Sequence, residues 1–121
     1  HRQHESIYLL SPSERHQFRT TPPVPSIWEF ANEKISGKAH YSRFPTELPL
    51  RCIDAYGLTG EEVVVLDPFS GSGTTGIAAR RLGCTYIGFE IDAEQALASN
   101  ERLAHIAIEI PLFPAETGPL G

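Results

Sequence analysis

The sequence predicts an α/β fold built on a doubly wound, mostly parallel sheet. Three observations carry that prediction. Val63-Val64-Val65-Leu66 is an unbroken apolar, β-branched run ending at Asp67. A run without polar alternation suits a strand of a parallel sheet, covered on both faces. A glycine-rich turn and a stretch of small residues follow, and then a second β-type run from Thr85 to Ile91. With a helical stretch after it, the segment 63–106 reads as one β-α-β-α unit, the repeating element of open parallel sheets.

Each element has a local reason. Ile7-Tyr8-Leu9-Leu10 is a short β-type run, stopped by Ser11-Pro12-Ser13. Residues 12–43 are expected to be irregular, because Pro22, Pro23 and Pro25 remove donors and fix φ. Within them, Ile27-Trp28-Glu29-Phe30 suits a short strand or an anchored loop, with Trp28 as the anchor. Pro45 opens a helical pattern: Thr46 and Glu47 suit a first turn, Pro49 is still tolerated there, and Leu48, Leu50, Cys52, Ile53 and Ala55 give the apolar face before Gly57. The second helix is expected from Thr75 to Leu82, stopped by Gly83. Asp92 is the natural N-cap of a third, from Ala93 to about Ile106. Residues 111–121 read as an extended tail.

The composition narrows the function. With 10 Lys+Arg against 15 Asp+Glu, the chain carries a net charge of −5. It is therefore not a simple basic nucleic-acid binder, although a basic surface on another segment would still permit a nucleic-acid enzyme. The charge is uneven: residues 1–60 hold seven of the ten basic residues, and residues 61–121 hold nine of the fifteen acids. Two cysteines without a Cys-x-x-Cys argue against a disulfide framework and against a structural metal. No apolar stretch approaches the roughly 20 residues of a membrane span, and no signal-peptide core is present, so a cytoplasmic chain is expected. The 121 residues include no methionine and open on His1-Arg2-Gln3-His4, which points to a part of something longer.

Chemistry converges on Asp67-Pro68-Phe69-Ser70-Gly71-Ser72-Gly73-Thr74-Thr75-Gly76. Here a strand ends, the chain turns with little side-chain bulk, and a helix begins. Ligands of open α/β sheets bind at such carboxyl ends, where glycines admit them to the backbone and the helix N-terminus offers N–H groups. The next strand also ends in an acid, Glu90, which suits a ribose diol; Asp92 behind it is better read as a helix cap. Gly71-x-Gly73-x-x-Gly76 matches the dinucleotide fingerprint, but Asp67 to Ser70 intervene between strand and glycines. A carboxylate at that mouth repels a pyrophosphate and favours an ammonium group. A phosphate-binding loop is excluded, since no Lys follows the glycines. A ligand with ribose, adenine and ammonium is S-adenosylmethionine.

These residues resemble the β-class N4-cytosine/N6-adenine DNA methyltransferases. Asp67-Pro-Phe-Ser-Gly-Ser-Gly-Thr-Thr-Gly76 is similar to their motif I, and Ile87-Gly-Phe-Glu-Ile91 to motif II. Phe44-Pro-Thr-Glu-Leu-Pro49 resembles motif X, often His-Pro-Thr-x-Lys-Pro, with Leu48 standing where Lys is frequent. His4-Glu-Ser-Ile-Tyr-Leu-Leu-Ser-Pro-Ser13 resembles the late strand before the target-recognition region. The resemblance implies a partial Rossmann-like methyltransferase fold: a late strand in residues 1–11, a recognition or linker region in 12–43, the cofactor-binding subdomain in 44–110 and a tail in 111–121. It implies that Asp67, Pro68 and the turn Phe69, Ser70, Gly71, Ser72, Gly73 and Thr74 hold the methionine portion of S-adenosylmethionine. Thr46 would add a polar contact, Glu90 would hold the ribose, and Ile91 would pack on the adenine.

The family's catalytic motif, Asp/Asn/Ser-Pro-Pro-aromatic, is not among the 121 residues. The only Pro-Pro, in Thr21-Pro22-Pro23-Val24, has neither the polar residue nor the aromatic. No catalytic residue is therefore assigned in this chain. The expectation is the C-terminal, cofactor-binding part of an enzyme that methylates an exocyclic amine of a flipped base. Its partners would be DNA, through the complete enzyme, and a missing N-terminal catalytic half or partner subunit, with self-association as another way to cover exposed apolar faces. A non-catalytic subunit of a split methyltransferase, or a Rossmann methyltransferase acting on RNA or a small molecule, are the competing readings.

Overall fold

A computed structural model describes residues 4–13, 25–31, 44–55, 57 and 59–107. Five elements follow one another: α1 (Glu47–Asp54), β1 (Val64–Asp67), α2 (Thr74–Arg81), β2 (Thr85–Gly88) and α3 (Ala93–Ala104). β1 and β2 pair in parallel, with Val64 beside Thr85 and Asp67 beside Gly88. The β-α-β-α order predicts this pairing, because α2 supplies the crossover that parallel strands require.

Local signals end the helices where expected. At the end of α2, Cys84 N–H donates to Ala79 O and Gly83 N–H to Arg80 O, with Gly83 at φ +73°. This is the double closure of a Schellman motif. Arg80 and Arg81 occupy the last turn of α2, favourably placed against its dipole. Gly57, at φ +60°, closes α1 by donating to Asp54 O. Asp92 caps α3, its Oδ1 accepting from Glu94 N–H at 2.9 Å and Gln95 N–H at 3.1 Å.

The buried core is small and centres on α2. Ile77, Ala78 and Ala79 of this helix are buried with Ala55, Cys84 and Leu103. α1, α3 and both strands all pack on α2. Small residues permit that approach. A Cβ added at Gly76 would lie 2.6 Å from the Tyr86 ring and 3.0 Å from Leu103 Cδ2.

Several expectations are corrected. β1 is not covered on both faces: Val64 (55% exposed), Leu66 (59%) and Ile87 (43%) form an open apolar face, and no described helix packs there. The doubly wound arrangement is thus not formed by the described residues. Ile7-Tyr8-Leu9-Leu10 is exposed and forms no strand, having no described neighbour to pair with. Of the two readings of Ile27–Phe30, strand or anchored loop, the structure has the loop: Trp28 meets Phe30 edge-on at 6.2 Å, and the Arg51 guanidinium of α1 lies 4.8 Å from the Phe30 ring centre. β2 stops at Gly88 rather than Ile91, because its partner β1 ends at Asp67, the residue opposite Gly88. α2 begins and ends one residue earlier than expected, and α3 ends at Ala104 rather than near Ile106. Most of 12–43 and all of 108–121 lie outside the described residues.

Gly76→Ala is expected to cost about 1–3 kcal/mol through overpacking against Tyr86 and Leu103, for a net loss of up to about 2 kcal/mol once the helix gain of alanine is subtracted. Alanine gains only roughly 1 kcal/mol over glycine in a helix, so the net effect is a loss. Urea unfolding followed by circular dichroism checks the sign.

Candidate functional site

The site lies at the carboxyl end of the parallel pair. The pairing continues past the strands: Phe89 N–H donates to Asp67 O, and Ser70 N–H donates to Phe89 O, each at 2.9 Å. The turn is thereby tied to the end of β2 before the glycines begin. Asp67 Oδ1 accepts from Phe69 N–H at 3.0 Å, fixing the first bend. Gly73 N–H then donates to Ser70 O at 2.8 Å, closing the second.

Two glycines of the turn are left-handed, Gly71 at φ +49° and Gly73 at φ +81°. Gly73 is also sterically required, since a Cβ there would meet Ser99 Oγ at 2.2 Å. Gly73 is the N-cap of α2 and brings no side chain to it. The first-turn N–H groups of α2 therefore have no side-chain cap from their own N-cap residue, which is the arrangement that receives an external acceptor.

Glu90 is bonded to the turn. Its Oε2 accepts from Gly71 N–H at 2.7 Å and its Oε1 from Asp92 N–H at 3.0 Å. A carboxylate has about four acceptor positions, so each oxygen keeps capacity for one hydroxyl of a vicinal diol. Sequence reasoning gave Glu90 a ligand role only; the structure adds a role in holding the turn. α3 contributes two further residues that the sequence did not single out, Ser99 against Gly73 and Arg102, whose guanidinium donates to Ser72 O. A separation of 30 residues hides such a contact from any local pattern.

The remaining candidates are placed as follows. Phe69 (89% exposed) and Ile91 (101%) present apolar side chains outward beside the turn and behind Glu90. Pro68 is exposed, whereas Thr74 is buried at the start of α2. Thr46 is half-buried at the N-cap of α1, a helix that packs on α2. Asp92 is a helix cap, as expected. A cleft of about 630 Å³ opens between β2 and α3, and Ser70 and Glu90 form its border with the turn. Tyr86 lines the same cleft. Its hydroxyl is buried without a well-formed hydrogen bond among the described residues. Burial first, and then the Asp67 carboxylate, push this phenol up, while the neighbouring Ser70 side chain pulls it the other way. Burial likewise pushes the thiols of Cys52 and Cys84 up, which leaves them poor nucleophiles. Among the described residues, no cluster of His, Cys, Asp and Glu suits a metal ion, and no helix is long and apolar enough to cross a membrane.

The sequence model of the N6/N4 DNA methylases matches residues 2–101. The type II methyltransferase M.SmaI of Serratia marcescens is 30% identical over 115 aligned positions, and the match covers 84% of this chain and 38% of that enzyme. The chain thus spans well under half the length of this relative. The cytosine-N4-specific PvuII DNA methyltransferase superposes with a TM-score of 0.56 at 35% identity, over 64% of this chain and 31% of that one. The M1.HpyAVI–SAM complex superposes with a TM-score of 0.50 at 30% identity, over 59% of this chain and 34% of that one.

Glu90→Ala is expected to destabilise the chain by about 1–3 kcal/mol, because it leaves the Gly71 and Asp92 N–H groups without their acceptor. Glu90→Gln keeps one acceptor oxygen and should cost less. Chemical denaturation of both variants gives the order.

Proposed function

The chain belongs to the β-class N4-cytosine/N6-adenine DNA methyltransferase family, and from that premise we propose that it is the S-adenosylmethionine-binding part of a site-specific DNA methyltransferase. One observation carries the reading. The carboxylate at the end of β2 is bonded to a left-handed glycine turn that follows the acidic end of β1, at the start of a helix without a side-chain cap.

The residues fit the cofactor group by group. Asp67 offers negative charge where the α-ammonium of the methionine portion would lie, and within the turn from Phe69 to Thr74 the Ser72 and Thr74 N–H groups are the ones offered to its carboxylate, the others being bonded inside the protein. Glu90 retains acceptor capacity for the ribose hydroxyls. Ile91, fully exposed behind it, offers an apolar surface to the adenine. Pro68 shapes the bend and Thr46 adds a polar contact. Bound there, S-adenosylmethionine would supply an electrophilic methyl on its sulfonium. This chain's contribution is to bind and orient that group.

The acceptor is the exocyclic amine of a flipped base, N4 of cytosine or N6 of adenine. The polar-Pro-Pro-aromatic motif that would receive it belongs to another segment or subunit. The open apolar face of β1 and β2 supports this, since Val64, Leu66 and Ile87 need cover.

Two outcomes test the reading. Asp67→Asn keeps an acceptor for Phe69 N–H but removes the charge; it is expected to weaken S-adenosylmethionine binding by about 1.5–3 kcal/mol in calorimetry. In a labelled-cofactor assay on duplex DNA, the 121 residues should show no turnover until a segment with the catalytic motif is supplied. Wild-type protein that fails to bind S-adenosylmethionine would sink the proposal.

A further inference from the structure

We propose that Arg102 is a positioning residue for the cofactor-binding turn, acting through the Ser72 carbonyl. The proposal rests on the functional reading above and extends it to a residue outside the motifs. The Ser72–Gly73 peptide is held at both ends: its N–H donates to Ser70 O at 2.8 Å, and its carbonyl accepts from Arg102 Nη1 at 2.5 Å. This is the peptide most in need of restraint. Gly73, at φ +81°, has no Cβ to oppose rotation, and glycine populates either sign of φ about equally. A flip would break the Gly73 N–H bond to Ser70 O and swing the Ser72 carbonyl to the other side of the turn, changing the main-chain groups presented just ahead of α2.

α3 meets the turn at two positions three residues apart, and therefore on one helix face. Ser99 packs where a Gly73 Cβ would lie, and Arg102 reaches the preceding carbonyl. Glu90 holds Gly71 N–H from the β2 side. The turn is thus gripped by an anion at one peptide and a cation at the next but one. The guanidinium bond is partly buried, where a charge-assisted hydrogen bond keeps more of its strength. Arg102 is given no contact with the methyl group. Its effect on chemistry runs through Ser72.

The test uses the full protein and compares wild type, Arg102→Ala and Arg102→Lys. S-adenosylhomocysteine engages the turn through its amino-acid portion, whereas adenosine engages only the Glu90 side. In calorimetry, Arg102→Ala should weaken S-adenosylhomocysteine about tenfold, the worth of one charge-assisted hydrogen bond. Adenosine affinity should stay within about twofold on the same argument, and Arg102→Lys should recover part of the loss. Amide exchange by NMR should show Gly73 deprotected while Phe89 and Ser70 are unchanged. If Arg102→Ala does not fold, Arg102→Lys and Arg102→Gln give the same comparison. Unchanged S-adenosylhomocysteine affinity, or an equal loss of both ligands with general deprotection, overturns the proposal while leaving the cofactor reading intact. Wild type binding neither ligand overturns both.

Discussion

The parallel pairing of β1 with β2 is the constraint on which the rest depends. Its register sets Asp67 beside Gly88, and two more main-chain bonds carry it through Phe89 to Ser70. The ends of the two strands therefore reach the same edge of the sheet, with Asp67 and Glu90 both at the turn. A slip of one residue would exchange the faces of every side chain in a strand. Glu90 would then point away from Gly71, and the turn would lose the acceptor that defines its shape.

The pairing needs α2 close to the sheet, and α2 is close because it is built from small residues. Gly76 admits the Tyr86 ring, and Ala78 and Ala79 are fully buried between their neighbours. This compactness limits how much apolar surface the helix side can bury. The other face of the strands holds Val64, Leu66 and Ile87 in contact with solvent. At roughly 25 cal/mol per Å², covering them would add to stability, so the same strands that build the site also invite a neighbour.

The sequence was most legible where the cause of structure is local. Gly57, Gly83 and Asp92 announce helix ends through chemistry confined to a few residues, and the structure places an end or a cap at each. The order of strands and helices was legible for the same reason. Coverage was not: Val63 to Leu66 shows what a strand prefers to be buried in, but not whether anything lies over it. Ile7 to Leu10 shows a β preference and needs a partner strand that no described residue supplies. The candidate site divides along the same line. Asp67, the glycines and Glu90 stand out by type and spacing, whereas Ser99 and Arg102 look like ordinary helix residues. Only the packing of α3 brings them to the turn.

The dependence of the turn on α3 also has a meaning in time. Chains leave the ribosome from the N-terminus at about 5–20 residues per second. Ser72 and Arg102 are 30 residues apart, so every motif residue of the turn is synthesised seconds before the side chain that restrains it. During that interval a nascent chain carries the residues of the turn without the bond that α3 supplies to it. The turn is complete only once α3 has emerged and docked, so under the proposed function S-adenosylmethionine binding would report on the folding of the whole β-α-β-α unit and not of the motif alone.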